Sequence, residues 1–431
     1  MALRLIPKWL LLSTLASAYT CIEQPNPLTR ARNLVPCPWI DRPSLDNLVV
    51  AAQVQGSNLF QIDFNCLADA KVCDQAKNAF LQAGEIISAA LILNTPITVN
   101  ASYFHFCKEI GDCGTSKFVT LGGASPARVL PLVDNDGMRR FYPQALVKQL
   151  NLSSHPQYGQ YDIQAIFNAD APFWFNNNGN TIQPNQSDFL FVILHELIHG
   201  LGFTSSWSDY VNQTPSMLTP DISAGEQFTG PVVFDGFYEY AFDKYMVILP
   251  DLTPVTQLTK QLDSFNGGVG KQYKSINDFL SSLVKSPEYS KYGAQMFQLA
   301  TTPRDLAFLP LGRNSAQDAI ILETSLKPFS DGSSISHVDY NTYTNTSDFL
   351  MRFVQDHGVT LDEAVKRGGG SGPIGPRLLQ ILSSLGYATR EQPNPQNIPG
   401  FGDRRSPAST ALPCIWTFSF CAFLISLMLG I

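Results

Sequence analysis

Nine consecutive residues, His195-Glu196-Leu197-Ile198-His199-Gly200-Leu201-Gly202-Phe203, constrain this chain more than any other feature. They carry the H-E-x-x-H pattern with a glycine three residues further on. On a helix, residues four apart share a face, so the rings of His195 and His199 point the same way and can grip one metal ion. Glu196 is then placed to take a proton from water activated by that metal. From Phe189 to Phe203 every residue is apolar or glycine except His195, Glu196 and His199. A helix of that composition is buried, and burying a carboxylate and two imidazoles is costly without partners. One zinc ion per chain would supply them. The plainer alternative is a core helix whose histidines are satisfied by hydrogen bonds alone.

A catalytic zinc takes three protein ligands and keeps one position for water. A turn at Gly202 would bring a residue six positions past His199 back to the metal, but that residue is Ser205. The third ligand must come from further along the chain. Four other histidines exist, at 105, 155, 337 and 357. His337 lies in Ser336-His337, and Leu350-Met351 follows it. With these features the chain resembles the leishmanolysin-type metzincins. Those proteases keep the H-E-x-x-H-x-x-G helix, insert a long segment before a third histidine, and add a Leu-Met turn.

The resemblance implies His195, His199 and His337 as metal ligands, Glu196 as the catalytic general base, and Met351 in an apolar floor. It also implies an α+β catalytic unit: a twisted mixed sheet, a backing helix and the zinc helix, with a C-terminal lobe carrying the third ligand and the Met-turn. A tyrosine that some metzincins carry two residues past that turn is Phe353 here, so Tyr340, Tyr343 or another donor would have to serve the oxyanion. A rival third ligand is Glu239, which with Asp243 matches the E-x-x-x-D spacing of gluzincins; its plainer reading is a solvated helix face. His105 and His155 read as surface or packing residues, and His357 as a helix-end or surface residue.

The flanks of the chain look like processing signals. Residues 1–18 carry Arg4 and Lys8, an apolar run and Ala16-Ser17-Ala18, the pattern of a secretory signal peptide. Residues 406–431 end in an apolar run with no charged residue after it, behind a polar spacer, as in a GPI-anchor signal; Gly400 is a candidate acceptor. Between these signals lie six cysteines, at 21, 37, 66, 73, 107 and 113. An even set in an exported chain reads as three disulfides, and their spacing suggests the local pairs 21–37, 66–73 and 107–113 among fifteen possible connectivities. Sequons at Asn100, Asn151, Asn185, Asn212 and Asn345 agree with export as a glycoprotein.

Between those ends the organisation reads as a leader or propeptide (19–60), an N-terminal catalytic lobe (61–203), a long insert (204–333), a C-terminal lobe (334–386) and a stalk (387–405). Helices are expected at 74–91, 234–246, 276–284, 288–299, 361–365 and 376–385, and strands at 96–101, 128–132, 162–167 and 319–324. Net charge is −7 with no basic run, which argues against a nucleic-acid partner. The expected activity is a secreted, surface-anchored, monomeric zinc endopeptidase acting on proteins or peptides. The alternative is a catalytically silent metalloprotease-like adhesion or cell-wall surface protein.

Overall fold

The computed structural model describes residues 20–41, 59–115, 119–152, 154–176, 179–212, 214–222 and 230–394. The expected signal peptide, the anchor signal, Gly400, residues 42–58 of the leader and residues 395–405 of the stalk lie outside them. Among the described residues no helix is long and apolar enough to cross a membrane.

The architecture is α+β, with several mixed sheets and ten α-helices among the described residues. A four-stranded sheet carries the site. Its order is Phe60–Cys66, Ile97–Phe104, Ile163–Asn168 and Gly122–Pro126. The first three run parallel and the last is an antiparallel edge. In Ile97–Phe104 the residues Ile97, Val99, Ala101 and Tyr103 are buried and alternate with half-buried neighbours, the period of a strand. Two helices pack on this sheet. The backing helix Ala70–Ala90 buries Ala76, Phe80, Ala83 and Ile87, a stripe of helical period. The histidine helix Phe189–Gly200 is buried nearly all round. Phe80, Phe167 and Phe189 meet edge to face, with ring centroids 5.4 to 6.2 Å apart, and lock helices and sheet together.

A second sheet of five strands runs in the order Glu239–Tyr240, Arg139–Pro143, Arg128–Val133, Thr20–Glu23, Asn33–Pro36. Two strands of the expected leader, Thr20–Glu23 and Asn33–Pro36, are therefore woven into this sheet. Within the insert, Thr253–Pro254, Met246–Ile248, Leu306–Phe308 and Ile320–Ile321 form a small antiparallel sheet. The six cysteines sit at bonding distance in the local pairs 21–37, 66–73 and 107–113.

One expected helix is absent. Residues 234–246 instead give the strand Glu239–Tyr240 and one turn of 3-10 helix at Asp243–Tyr245. The reason is tertiary: Glu239 pairs with Arg140 in the sheet, and its buried carboxylate accepts from Arg140 Nε, Thr256 Oγ1 and Thr259 Oγ1 at 2.8, 2.9 and 2.6 Å. Those three bonds outweigh a weak local helical preference.

Candidate metal centre

Asp188 caps the histidine helix, accepting from the Leu190 N–H at 3.0 Å. Its second oxygen accepts from Leu361 N at 2.9 Å, tying the helix start to the C-terminal lobe. The helix presses on the sheet at Gly200, where a Cβ would lie 2.5 Å from Ile163. Two residues past its end the chain turns at Gly202, whose φ of +109° suits glycine alone.

The fold brings His195, His199 and His337 together, and their Nε2 atoms form a triangle with all three edges 3.1 Å. Each Nδ1 faces a carbonyl oxygen: Leu350 for His195 at 2.7 Å, Phe203 for His199 at 2.6 Å, and Ser333 for His337 at 2.9 Å. A carbonyl oxygen only accepts, so each Nδ1 carries the proton. Burial keeps the rings neutral, pulling His195 down to about 4, His199 to about 3 and His337 well below its ordinary value. Three lone pairs therefore converge at 3.1 Å with no proton to share. That arrangement is repulsive without a cation. Nitrogen ligands about 2.0–2.1 Å from a tetrahedral zinc stand roughly 3.3–3.4 Å apart, close to the observed edge, so the residues fit the ion.

Glu196 opens onto the same cleft. Its Oε2 accepts from Ala124 N at 3.0 Å. Burial pushes its carboxyl up to about 8, against the pull of that N–H. Ala124 belongs to the edge strand Gly122–Pro126, which the sequence reading missed. With Gly-Gly and a proline it lacks strand propensity, and the pairing with Ile163–Asn168 holds it. Met351 is buried, and its carbonyl accepts from Val338 N at 2.8 Å, next to His337. The Leu-Met turn thus holds the backbone beside His337 and orients His195 through Leu350.

The other candidates lie elsewhere. Glu239 is consumed by Arg140 and two threonines, and Asp243 accepts from Ser205, Ser206 and Tyr240, so neither reaches the histidines. Tyr340 donates to Asp356, and the Tyr343 hydroxyl accepts from Ile321 N; neither lines the cleft, which corrects their candidacy as oxyanion donors. His105 pairs with Asp170 at the surface, His155 sits against Tyr158, and His357 meets Ser187.

The cleft holds about 780 Å³. One wall is the loop joining the strands Thr20–Glu23 and Asn33–Pro36, a second feature the sequence reading missed. Leu28 lies on the edge strand, where a Cβ on Gly123 would come within 2.7 Å of it. Arg30 crosses to the Asp209 carbonyl at 2.6 Å and pairs with Asp331, while Arg32 pairs with Asp221.

The profile of the SPBPB7E8-like family matches residues 28–400, a span that includes the three histidines, Glu196, Ala124 and the Leu350-Met351 segment. The chain belongs to that family. An uncharacterized protein of Schizosaccharomyces pombe, PB7E8.01, is 31% identical over 364 residues, covering 77% of this chain. The chain spans 63% of that relative's length. No solved structure matches. Membership in the SPBPB7E8-like family names no chemistry, so the chemistry rests on the site itself.

Proposed function

We propose that this chain is a zinc endopeptidase with a metzincin-like catalytic unit of the leishmanolysin type. One observation carries the reading: the inward-facing triangle of three neutral imidazoles beside a carboxylate in an open cleft. His195, His199 and His337 would hold the ion. When bound, zinc supplies Lewis acidity, bringing water toward a pKa of about 7 and polarising a carbonyl oxygen. The chain's own residues do the rest. Glu196 accepts the proton of the attacking water and delivers it to the leaving amine. Ala124 N–H fixes one Glu196 oxygen, leaving the other for that proton. Among the described residues the edge strand Gly122–Pro126 pairs on one side only, and it borders the cleft, which suits an extended peptide added as a further strand.

The distant third histidine, the glycine-terminated helix and the buried Leu350-Met351 segment support the metzincin comparison. The three cysteine pairs support folding in an oxidising compartment. With the terminal signals, this makes export and lipid anchoring at the cell surface part of the proposal.

The test is zinc analysis of the purified full chain together with cleavage of a diverse peptide library, run beside Glu196→Ala. We expect about one zinc per chain and cleavage by the parent alone. Zinc without cleavage would favour the silent surface-protein reading, and equal cleavage by both would remove Glu196 from the mechanism.

A further inference from the structure

The loop between the strands Thr20–Glu23 and Asn33–Pro36 lines the main cleft with Gln24 and with residues 26–32. It lies against the strand that a substrate would pair with. Gln24 N donates to Ala127 O at 2.9 Å, just past the end of Gly122–Pro126. Four residues on, Leu28 Cδ2 stands 2.7 Å from where a Cβ on Gly123 would be, next to the Ala124 N–H that holds Glu196. The chain then reaches across to the opposite wall. Arg30 donates to Asp209 O at 2.6 Å and to Ser208 Oγ at 2.8 Å, and it pairs with Asp331. Arg32 pairs with the buried Asp221.

This crossing is seated in the cleft without being part of the sheet. Past Gln24, among the described residues, no backbone hydrogen bond joins residues 25–32 to the edge strand. The loop's own side chains serve its turn: Asn26 Oδ1 accepts from Leu28 N at 2.9 Å, and Thr29 Oγ1 accepts from Ala31 N at 3.3 Å. Thr29, Arg30 and Ala31 are exposed. The side chains of Arg30 and Asp331 are 46% and 43% exposed, and so open a pair contributes little. Closure does more to hold the loop in place. The Cys21–Cys37 bridge joins its two ends, 16 residues apart, and Arg32 anchors one limb.

Building on the peptidase reading, we propose that the Arg30–Ala31 bond is a processing site for a protease that cuts after arginine, and that the uncut loop holds the peptidase at a fraction of its activity. Of the three exposed residues, Arg30 is the one that a trypsin-like pocket reads through its carboxylate. Water adds across the bond, leaving a carboxylate on Arg30 and an ammonium on Ala31. The ring closed by Cys21–Cys37 then opens. Past Gln24 the first limb is held only by its packing on Gly123 and by the Arg30 contacts, so it can leave the edge strand. The second limb stays through Arg32 and Asp221, and the disulfide keeps both limbs attached.

The experiment treats the zinc-loaded full chain briefly with trypsin, quenches it and maps the cuts by mass spectrometry, beside Ala31→Pro, which trypsin does not cut at this bond. Cuts elsewhere occur in both chains and cancel. The probe is a fluorescein-labelled pool of degenerate peptides lacking lysine and arginine. The Arg30–Ala31 bond is expected to be cut early, and its two pieces to separate only on reduction. Cleavage of the pool is expected to rise about tenfold or more, because a loop that opens about 10% of the time or less limits the uncut chain to that fraction. Ala31→Pro is expected to stay at the uncut rate. A second readout needs no catalysis: binding of the pool to the zinc-loaded Glu196→Gln chain, read by fluorescence anisotropy, should tighten on cutting by the same factor. A cut at this bond that changes neither rate nor binding overturns the inference and leaves the peptidase reading standing, as does a bond that resists trypsin while others are cut. Tighter binding after the cut, with no cleavage by either form, supports the strap and overturns the peptidase. The parent before and after cutting decides the question should Ala31→Pro fail to fold.

Discussion

Replacing Gly202 with alanine tests how the glycine of the histidine motif serves the site. Its φ of +109° is a conformation that side chains avoid, at a strain of about 1–3 kcal/mol. A Cβ there would also stand 2.9 Å from Pro143 Cγ, a ring atom with little freedom to retreat. Overpacking of that kind costs about 1–3 kcal/mol more. The two terms share one relaxation, so a net loss of about 2–4 kcal/mol is expected. Any relaxation moves the next residue, Phe203, whose carbonyl receives the His199 proton at 2.6 Å. Disturbing such a partner weakens metal binding about 10- to 100-fold. Denaturant unfolding reads the first effect and competition with a chromophoric zinc chelator reads the second. A Gly202→Ala chain with parental stability and zinc affinity would refute the argument on both counts.

Four further outcomes follow from the same geometry. Glu196→Gln should keep zinc and stability yet lose about 10²–10⁴ in kcat, as loss of a general base does, checked by calorimetric zinc titration beside steady-state kinetics. His337→Ala should strip zinc from an otherwise folded chain, whereas Glu239→Gln should retain zinc and lose about 3–5 kcal/mol by breaking the fully buried bond to Arg140, measured by metal analysis and urea melts. Asp243 is fully buried, and burial, then the charge of Glu239, raises its carboxyl to about 6. A raised folded pKa makes the native state hold the extra proton. The ionised group therefore costs stability above about pH 6, and that cost fades as pH falls toward about 4. Urea melts of Asp243→Asn and the parent should differ in slope between those values, by up to about 3 kcal/mol across the range; parallel profiles would contradict the shift.

Much of the site was legible because local chemistry dictates it. The run Phe189–Gly200 admits only a buried helix, Ser187-Asp188 before it offers two capping side chains of which Asp188 is used, and the alternation in Ile97–Phe104 and Ile163–Asn168 is that of sheet strands. The histidine spacing places two candidate ligands on one face. What stayed hidden depends on partners remote in sequence. Gly122–Pro126 has no strand propensity and becomes one by pairing with Ile163–Asn168, so Ala124 gave no sign of its bond to Glu196. Glu239 looks like a helix residue until Arg140 is beside it. Leu28 and Arg30 belong to an unremarkable polar loop until the fold lays them along the cleft.

The wide separation of the converging histidines has a similar explanation. His337 follows His199 by 138 residues, where a short turn would need only six. Loop-closure entropy grows with the logarithm of length, so that extension costs only about 3 kcal/mol. The insert also closes on itself. Ser205 N donates to Ser336 Oγ at 3.1 Å, joining residues 131 apart. Glu323 N donates to His337 O, and Ile335 N donates to Glu323 O, both at 2.8 Å. Ser205 stands where a short-turn histidine would stand, and it is bonded to the residue preceding the distant one. A folded lobe has thus been set between two adjacent points of the site while the distance between them stayed short. Changes at Thr253–Pro254, the edge strand of the insert's small sheet furthest in order from Ile320–Ile321, should therefore alter stability well before they alter the histidine triangle.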